Sequence, residues 1–170
     1  MTILRSAVLV AALAAILALT NWTILQKQTV MTDGTPVLLP LQPVDPLSLM
    51  QGYYMDLALA PDTMPDAETV ARLPYTGLAV LTRDENGVGR FARIDDGSAL
   101  QAGEIRIRYR RHETWGQGRL DYGAQSFFFQ EGDADIYRDA KFALLWVGAD
   151  GSTVLADLAD ETRTVIKPGK

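Results

Sequence analysis

Cysteine is absent from the 170 residues, and histidine occurs once, at His112. Without thiols there is no disulfide frame and no zinc-cysteine site, and a single imidazole cannot build a multi-histidine metal centre. Acidic residues are missing from positions 1–30, which carry only Arg5 and Lys27 as charged side chains. The formal net charge is -5; setting those two cations aside leaves 14 basic and 21 acidic residues, or -7, for positions 31–170. A body of that sign repels phosphate backbones and excludes nucleic acid as a partner. It also disfavours lying flat on anionic lipid, so attachment to a membrane must come from an inserted segment. Hydrophobic residues at 48% and charged residues at 22% exclude global disorder and supply a core. The length suits one domain plus an additional segment.

That segment opens the chain. Ser6 to Leu25 reads SAVLVAALAAILALTNWTIL, twenty residues without a charge. As a helix rising 1.5 Å per residue it covers about 30 Å, the thickness of a bilayer's hydrocarbon. Ala and Leu favour helix, and Trp22 near the far end suits the headgroup zone. A cleaved signal peptide is the competing reading, but its nearest exit, Ala18-Leu19-Thr20, puts a bulky Thr at the cleavage position. A buried core helix would show a polar stripe, which this run lacks. The expected organisation is an anchor over 1–27, a polar linker over 28–35 ending near Asp33-Gly34, and a domain over 36–170. The amino terminus and Arg5 make the short tail the more positive flank, which places it in the cytoplasm and the domain outside the inner membrane. Lack of cysteine fits that side, since a domain with an adequate core needs no disulfide.

Beyond the anchor the pattern is of short strands and turns. Pro36 to Leu41 is an apolar edge-strand run closed by Pro40, Pro43 and Pro46, and Gly52 to Ala60 resumes an extended course. Asp66 to Val70 suggests a small helical turn. Gly77 to Arg83 and Val88 to Ile94 flank Asp84-Glu85-Asn86-Gly87, a strong hairpin signal. In Glu104 to Arg110, Ile105, Ile107 and Tyr109 alternate with Arg106, Arg108 and Arg110, the two-residue period of a half-buried strand. Gly116 and Gly118 loosen the chain before Leu120 to Gln130, where Phe127, Phe128 and Phe129 supply part of a core. Residues 132–140 fit a short helix, and Phe142 to Gly148 with Ser152 to Leu158 a closing hairpin about Ala149-Asp150-Gly151. Thr162 to Ile166 either adds a last strand or trails off. The fold class is mainly β, a β-rich α+β arrangement: a single transmembrane helix, then an antiparallel sheet, sandwich or small barrel with one or two short helices.

Residues 44–59, VDPLSLMQGYYMDLAL, resemble the GDYXXLXY family. Its signature maps onto Gly52 through Leu59: Gly52, Tyr54 and Leu57 match, while Tyr53 stands in place of Asp and Leu59 in place of Tyr. The Val44-Asp45-Pro46 turn is similar to the family's lead-in, and Tyr122-Gly123 followed by Phe127, Phe128, Glu131 and Gly132 looks like its later aromatic-Glu-Gly stretch. The resemblance implies a bacterial membrane-anchored protein, often encoded near multipass membrane proteins, and carries no known activity. In physical terms, Gly52 ends the turn begun at Asp45-Pro46, and Tyr54 and Leu57 anchor the next strand in the core.

Chemistry is thinly represented. Ser48 before a glycine turn, with Lys141 as base, has the outline of a Ser-Lys hydrolase, but a turn hydroxyl and a solvated helix end explain both residues. His112, beside Arg111 and Glu113, reads as solvent-facing. Glu131, Asp133, Asp135 and Asp139 lack the EF-hand spacing, with Arg138 at the glycine position and Leu144 at the closing Glu, and read as a solvated, capped helix start. No metal, cofactor or catalytic residue is assigned. Arg106, Arg108 and Arg110 are the possible interaction face, against which stands a cross-strand ladder to acids such as Asp121 or Glu104. The expected protein is not an enzyme. It is a structural or protein-interaction module working with a multipass envelope protein, the alternatives being a small Ser-Lys hydrolase or a small-ligand binding module.

Overall fold

The computed structural model describes residues 2–42, 54–114, 117–130 and 132–168. Asp45, Pro46, Gly52 and Glu131 of the signature, with Ser48, lie outside the described residues. Helix α1 runs from Thr2 to Asp33, and strand β1 follows at Thr35–Pro40. The polar linker expected over 28–35 is therefore helical as far as Asp33. Its residues are polar but contain no helix breaker before Gly34, so nothing local stops the helix. Gly34 stops it by close approach: a Cβ there would collide with the Val30 carbonyl oxygen and press on the Val147 carbonyl.

Among the described residues eight more strands follow: β2 (Tyr54–Asp56), β3 (Thr76–Arg83), β4 (Gly89–Ile94), β5 (Glu104–Thr114), β6 (Gln117–Asp121), β7 (Ser126–Phe128), β8 (Phe142–Val147) and β9 (Thr153–Ala159). Two short helices, α2 (Ala67–Arg72) and α3 (Ala134–Tyr137), complete the set together with a single 3₁₀ turn at Pro61–Thr63. All pairings between strands are antiparallel, in sheets of order β1-β8-β9, β4-β3-β5-β6 and β2-β7. The first two sheets meet where the Leu38 amide donates to the Gly87 carbonyl at 2.9 Å, at a parallel bridge between Leu38 and Val88. Together they curve into a half-barrel, a β-rich fold behind an apolar helix, as the alternation predicts.

The inner faces of the half-barrel pool into one core. Val37 and Leu39 of β1, Ala79 and Leu81 of β3, Ile107 and Tyr109 of β5, and Leu145 of β8 are sealed within it. Alternation in β5 is obeyed, with Ile107 and Tyr109 buried while Arg108 and Arg110 face water. Helix α2 lies on β6, starting where the Asp66 carboxylate caps the Thr69 amide at 2.9 Å. At α3, by contrast, the Asp133 side chain makes no cap bond.

Gly118, expected in a loosened stretch, sits inside β6, the second arm of a hairpin with β5. A Cβ on it would come within 2.8 Å of a Val70 methyl, so only glycine lets α2 lie so close. The tail trails off after a bridge between Ala159 and Val165.

The half-barrel is tied to its covering loop by one buried phenol. Tyr122 is fully buried and its hydroxyl donates to the Thr63 carbonyl at 2.8 Å, while Thr63, also buried, donates its own hydroxyl to the Ala60 carbonyl at 2.6 Å. Burial in apolar surroundings pushes the Tyr122 phenol well above its ordinary value, so it stays a donor at any working pH. Tyr122→Phe strands the Thr63 carbonyl and is expected to cost about 1–2 kcal/mol in urea denaturation of the purified protein. An unchanged midpoint would show that the phenol is not a tie.

Candidate functional site

Three places bring polar side chains together. The foot of α1 is the first. Val30 is buried against the domain, where a methyl of it stands 3.1 Å from the place of a Cβ on Gly148, and Lys27 Nζ donates to the Thr153 carbonyl at 3.0 Å. By contrast, the apolar length of α1 is uncovered on every side, and the helix is long and apolar enough to cross a membrane. Between the foot and the β8–β9 turn lies a groove of about 580 Å³ whose walls include Lys27, Asp33, Asp150 and Ser152. Hydrogen bonds from the Ser152 hydroxyl and amide hold the Asp150 carboxyl below the ordinary range, and Arg108 adds to the effect.

The arginine face of β5 is the second, and its three members differ. Arg106 is committed: Nε donates to Asp95 Oδ2 at 3.0 Å and Nη2 to the Ser98 carbonyl at 2.6 Å. Arg108 is loosely held, with Nη2 at 3.3 Å from the Asp150 carbonyl and 3.6 Å from its carboxylate. Arg110 is exposed and has no hydrogen-bond or ion-pair partner among the described residues, although Asp121 stands opposite it in the ladder. Arg106 is thus partnered by Asp95, just past the end of β4, rather than by the expected acids Asp121 or Glu104. Glu104 is taken by Arg93 at 3.1 Å. The Gln101 amide chiefly, with Arg93 adding, holds its carboxyl below the ordinary range. A second groove, of about 340 Å³, is lined by Lys27, Arg108 and Arg110 together with Asp121 and Thr153. Sequence reasoning found the arginines but not Lys27, which is 81 residues from Arg108 and joins them only through the fold.

The third is a small cavity of about 180 Å³ beside His112, Arg119, Asp121 and Gln125. His112 Nε2 lies 2.9 Å from Gln125 Nε2 and 3.8 Å from Asp121 Oδ2. The imidazole, expected to face solvent, is half-buried. Asp121 is already an acceptor for the Gly123 amide at 2.7 Å and the Ala124 amide at 3.2 Å, which makes it a turn-holding carboxylate.

The signature positions have structural roles where they are described. Leu57 is half-buried against the core and its amide donates to the Gln125 carbonyl at 2.7 Å. Tyr54, expected in the core, is exposed: β2 pairs with β7 at the rim, and Tyr54 packs on Phe128 with ring centroids 5.9 Å apart. The run of three phenylalanines splits the same way, with Phe127 and Phe129 packed on buried Tyr137 and Phe128 76% exposed. Gly132 sits at φ 95, in the region that favours glycine, just before α3. Lys141 is exposed. Among the described residues no group of His, Asp and Glu is arranged to hold a metal.

An apolar helix of membrane-crossing length, continuous with an antiparallel half-barrel, defines the class. The model of the GDYXXLXY protein family matches residues 16–158, most of the chain, and the protein belongs to that family. No curated protein and no solved structure matches it.

The unequal arginines make a measurable contrast. Arg106→Ala leaves the Asp95 carboxylate, only 9% exposed, without its guanidinium, and is expected to cost about 1–3 kcal/mol in urea denaturation. Arg108→Ala removes an exposed contact and should stay within about 0.5 kcal/mol of the parent. Equal losses would contradict this division of the face.

Proposed function

We propose that this chain is a single-span protein of the bacterial inner membrane that holds its domain in the periplasm and works there as a structural or protein-interaction module beside a multipass membrane protein. The observation that carries the reading is the helix itself, whose apolar stretch its own domain leaves bare and whose last turns are docked on that domain. A bare apolar helix requires lipid or other membrane helices around it. Docking of the same helix at Val30 and Lys27 links whatever surrounds the span to the domain without slack. Charge supports the orientation: the amino terminus and Arg5 sit before the span, and an acidic body follows it.

The absence of cysteine makes orientation directly measurable. Glu85→Cys, in the exposed β3–β4 turn, should react with a membrane-impermeant maleimide on intact spheroplasts, whereas Thr2→Cys should react only after lysis. The reverse pattern would overturn the periplasmic assignment. A photo-crosslinking residue at Ala11 should trap a multipass protein in membranes, and recovery of monomer alone would argue against the interaction role.

A further inference from the structure

We propose that the groove lined by Lys27, Arg108 and Arg110 binds the phosphate of an anionic phospholipid headgroup and so ties the domain down onto the bilayer that α1 enters. The inference rests on the reading of α1 as a membrane span and adds a ligand site to it.

Position is the first argument. Lys27 lies two residues past Leu25, the last residue of the apolar run, and so about 3 Å further along the axis. The headgroup layer on each side of a bilayer is about 5–8 Å deep. A groove lined by Lys27 then falls within the headgroup layer, past the interface that Trp22, five residues earlier, marks.

Charge is the second. Positions 31–170 carry a net charge of -7, yet three cations line this one groove. The one carboxylate among them, Asp121, keeps its charge while its Oδ1 accepts from the Gly123 and Ala124 amides, so the lining retains a net positive charge. The other acid within reach, Asp150, lies in the adjoining groove at 3.6 Å from Arg108.

Free donors are the third. Arg110 has no partner among the described residues, Arg108 spends one nitrogen on a 3.3 Å bond, and Lys27 uses one of its three donors on Thr153. A guanidinium fork beside an ammonium is the donor set that phosphate takes. The acidity of the whole body is offset locally, where three cations stand against one carboxylate in the groove lining.

The test uses the full chain in mild detergent, with the melting midpoint followed as phosphatidylglycerol, phosphatidylcholine or inorganic phosphate is added. Phosphatidylglycerol should raise the midpoint by several degrees more than phosphatidylcholine, since a ligand of the folded state stabilises it. Arg110→Gln should weaken the half-saturating phosphatidylglycerol concentration about fivefold, and Lys27→Gln with Arg110→Gln about twenty-fivefold. Arg72→Gln, whose partner is Glu68 on α2, should change nothing. Arg110 is exposed and unpartnered, so its loss leaves the fold intact; parent protein in native mass spectra should in addition retain phosphatidylglycerol over phosphatidylcholine. Equal response to the two lipids, or an Arg110→Gln curve identical to the parent's, would overturn the proposal. Reproduction of the full shift by inorganic phosphate would overturn the lipid assignment in favour of a free anion. Failure of the span reading shows separately, as release of the intact chain from vesicles by alkaline carbonate.

Discussion

Twenty consecutive uncharged residues that the protein's own domain does not cover must be buried in something else, and the rest of the architecture is arranged around that constraint. Lipid satisfies it, since a helix closes its own backbone hydrogen bonds and asks only for apolar surroundings. The same helix then continues to Asp33, so about 12 Å of it stands beyond Leu25 as a short post. Val30 buried and Lys27 bonded to Thr153, three residues apart on one face of the post, fix how the half-barrel is mounted. Gly34 makes the turn from post to sheet possible, because no side chain fits between the Val30 and Val147 carbonyls.

Much of the half-barrel was legible residue by residue. The β5 alternation, the Asp84–Gly87 turn and the Ala149–Gly151 turn each encode local geometry in local sequence, and each is found where expected. Misreadings arose where a distant element decided. Gly118 reads as a breaker until Val70 of α2 is seen to occupy the space of its missing Cβ. Tyr54 reads as core, but β2 pairs with β7 at the rim, where one ring stacks on another in water's reach. Residues 28–35 read as a linker because they are mostly polar, although polarity alone does not end a helix, which runs on to Asp33.

The candidate site was half legible for the same reason. Period-two spacing puts Arg106, Arg108 and Arg110 on one face but cannot say that Asp95 claims the first, that Asp150 only leans on the second, or that the third stays free. Nor does it bring Lys27 to them. Two residues past the hydrophobic run, that lysine reads as a flank charge; in the fold it lines the same groove as the arginines. Family membership spans most of the chain and agrees with this architecture; of the two positions that depart from the signature, Leu59 is buried in the core and bridges to Leu41.

The account stands or falls on the helix being one unbroken rod from the bilayer into the sheet. Amide hydrogen exchange of the full chain in lipid nanodiscs measures this directly over residues 26–33. Exchange slowed there to the extent seen in β8, which ends beside Gly148 at the Val30 contact, is the predicted result. Exchange at the rate of an unstructured peptide across those eight residues would contradict it, leaving the domain on a loose tether with its cationic groove free to face away from the membrane.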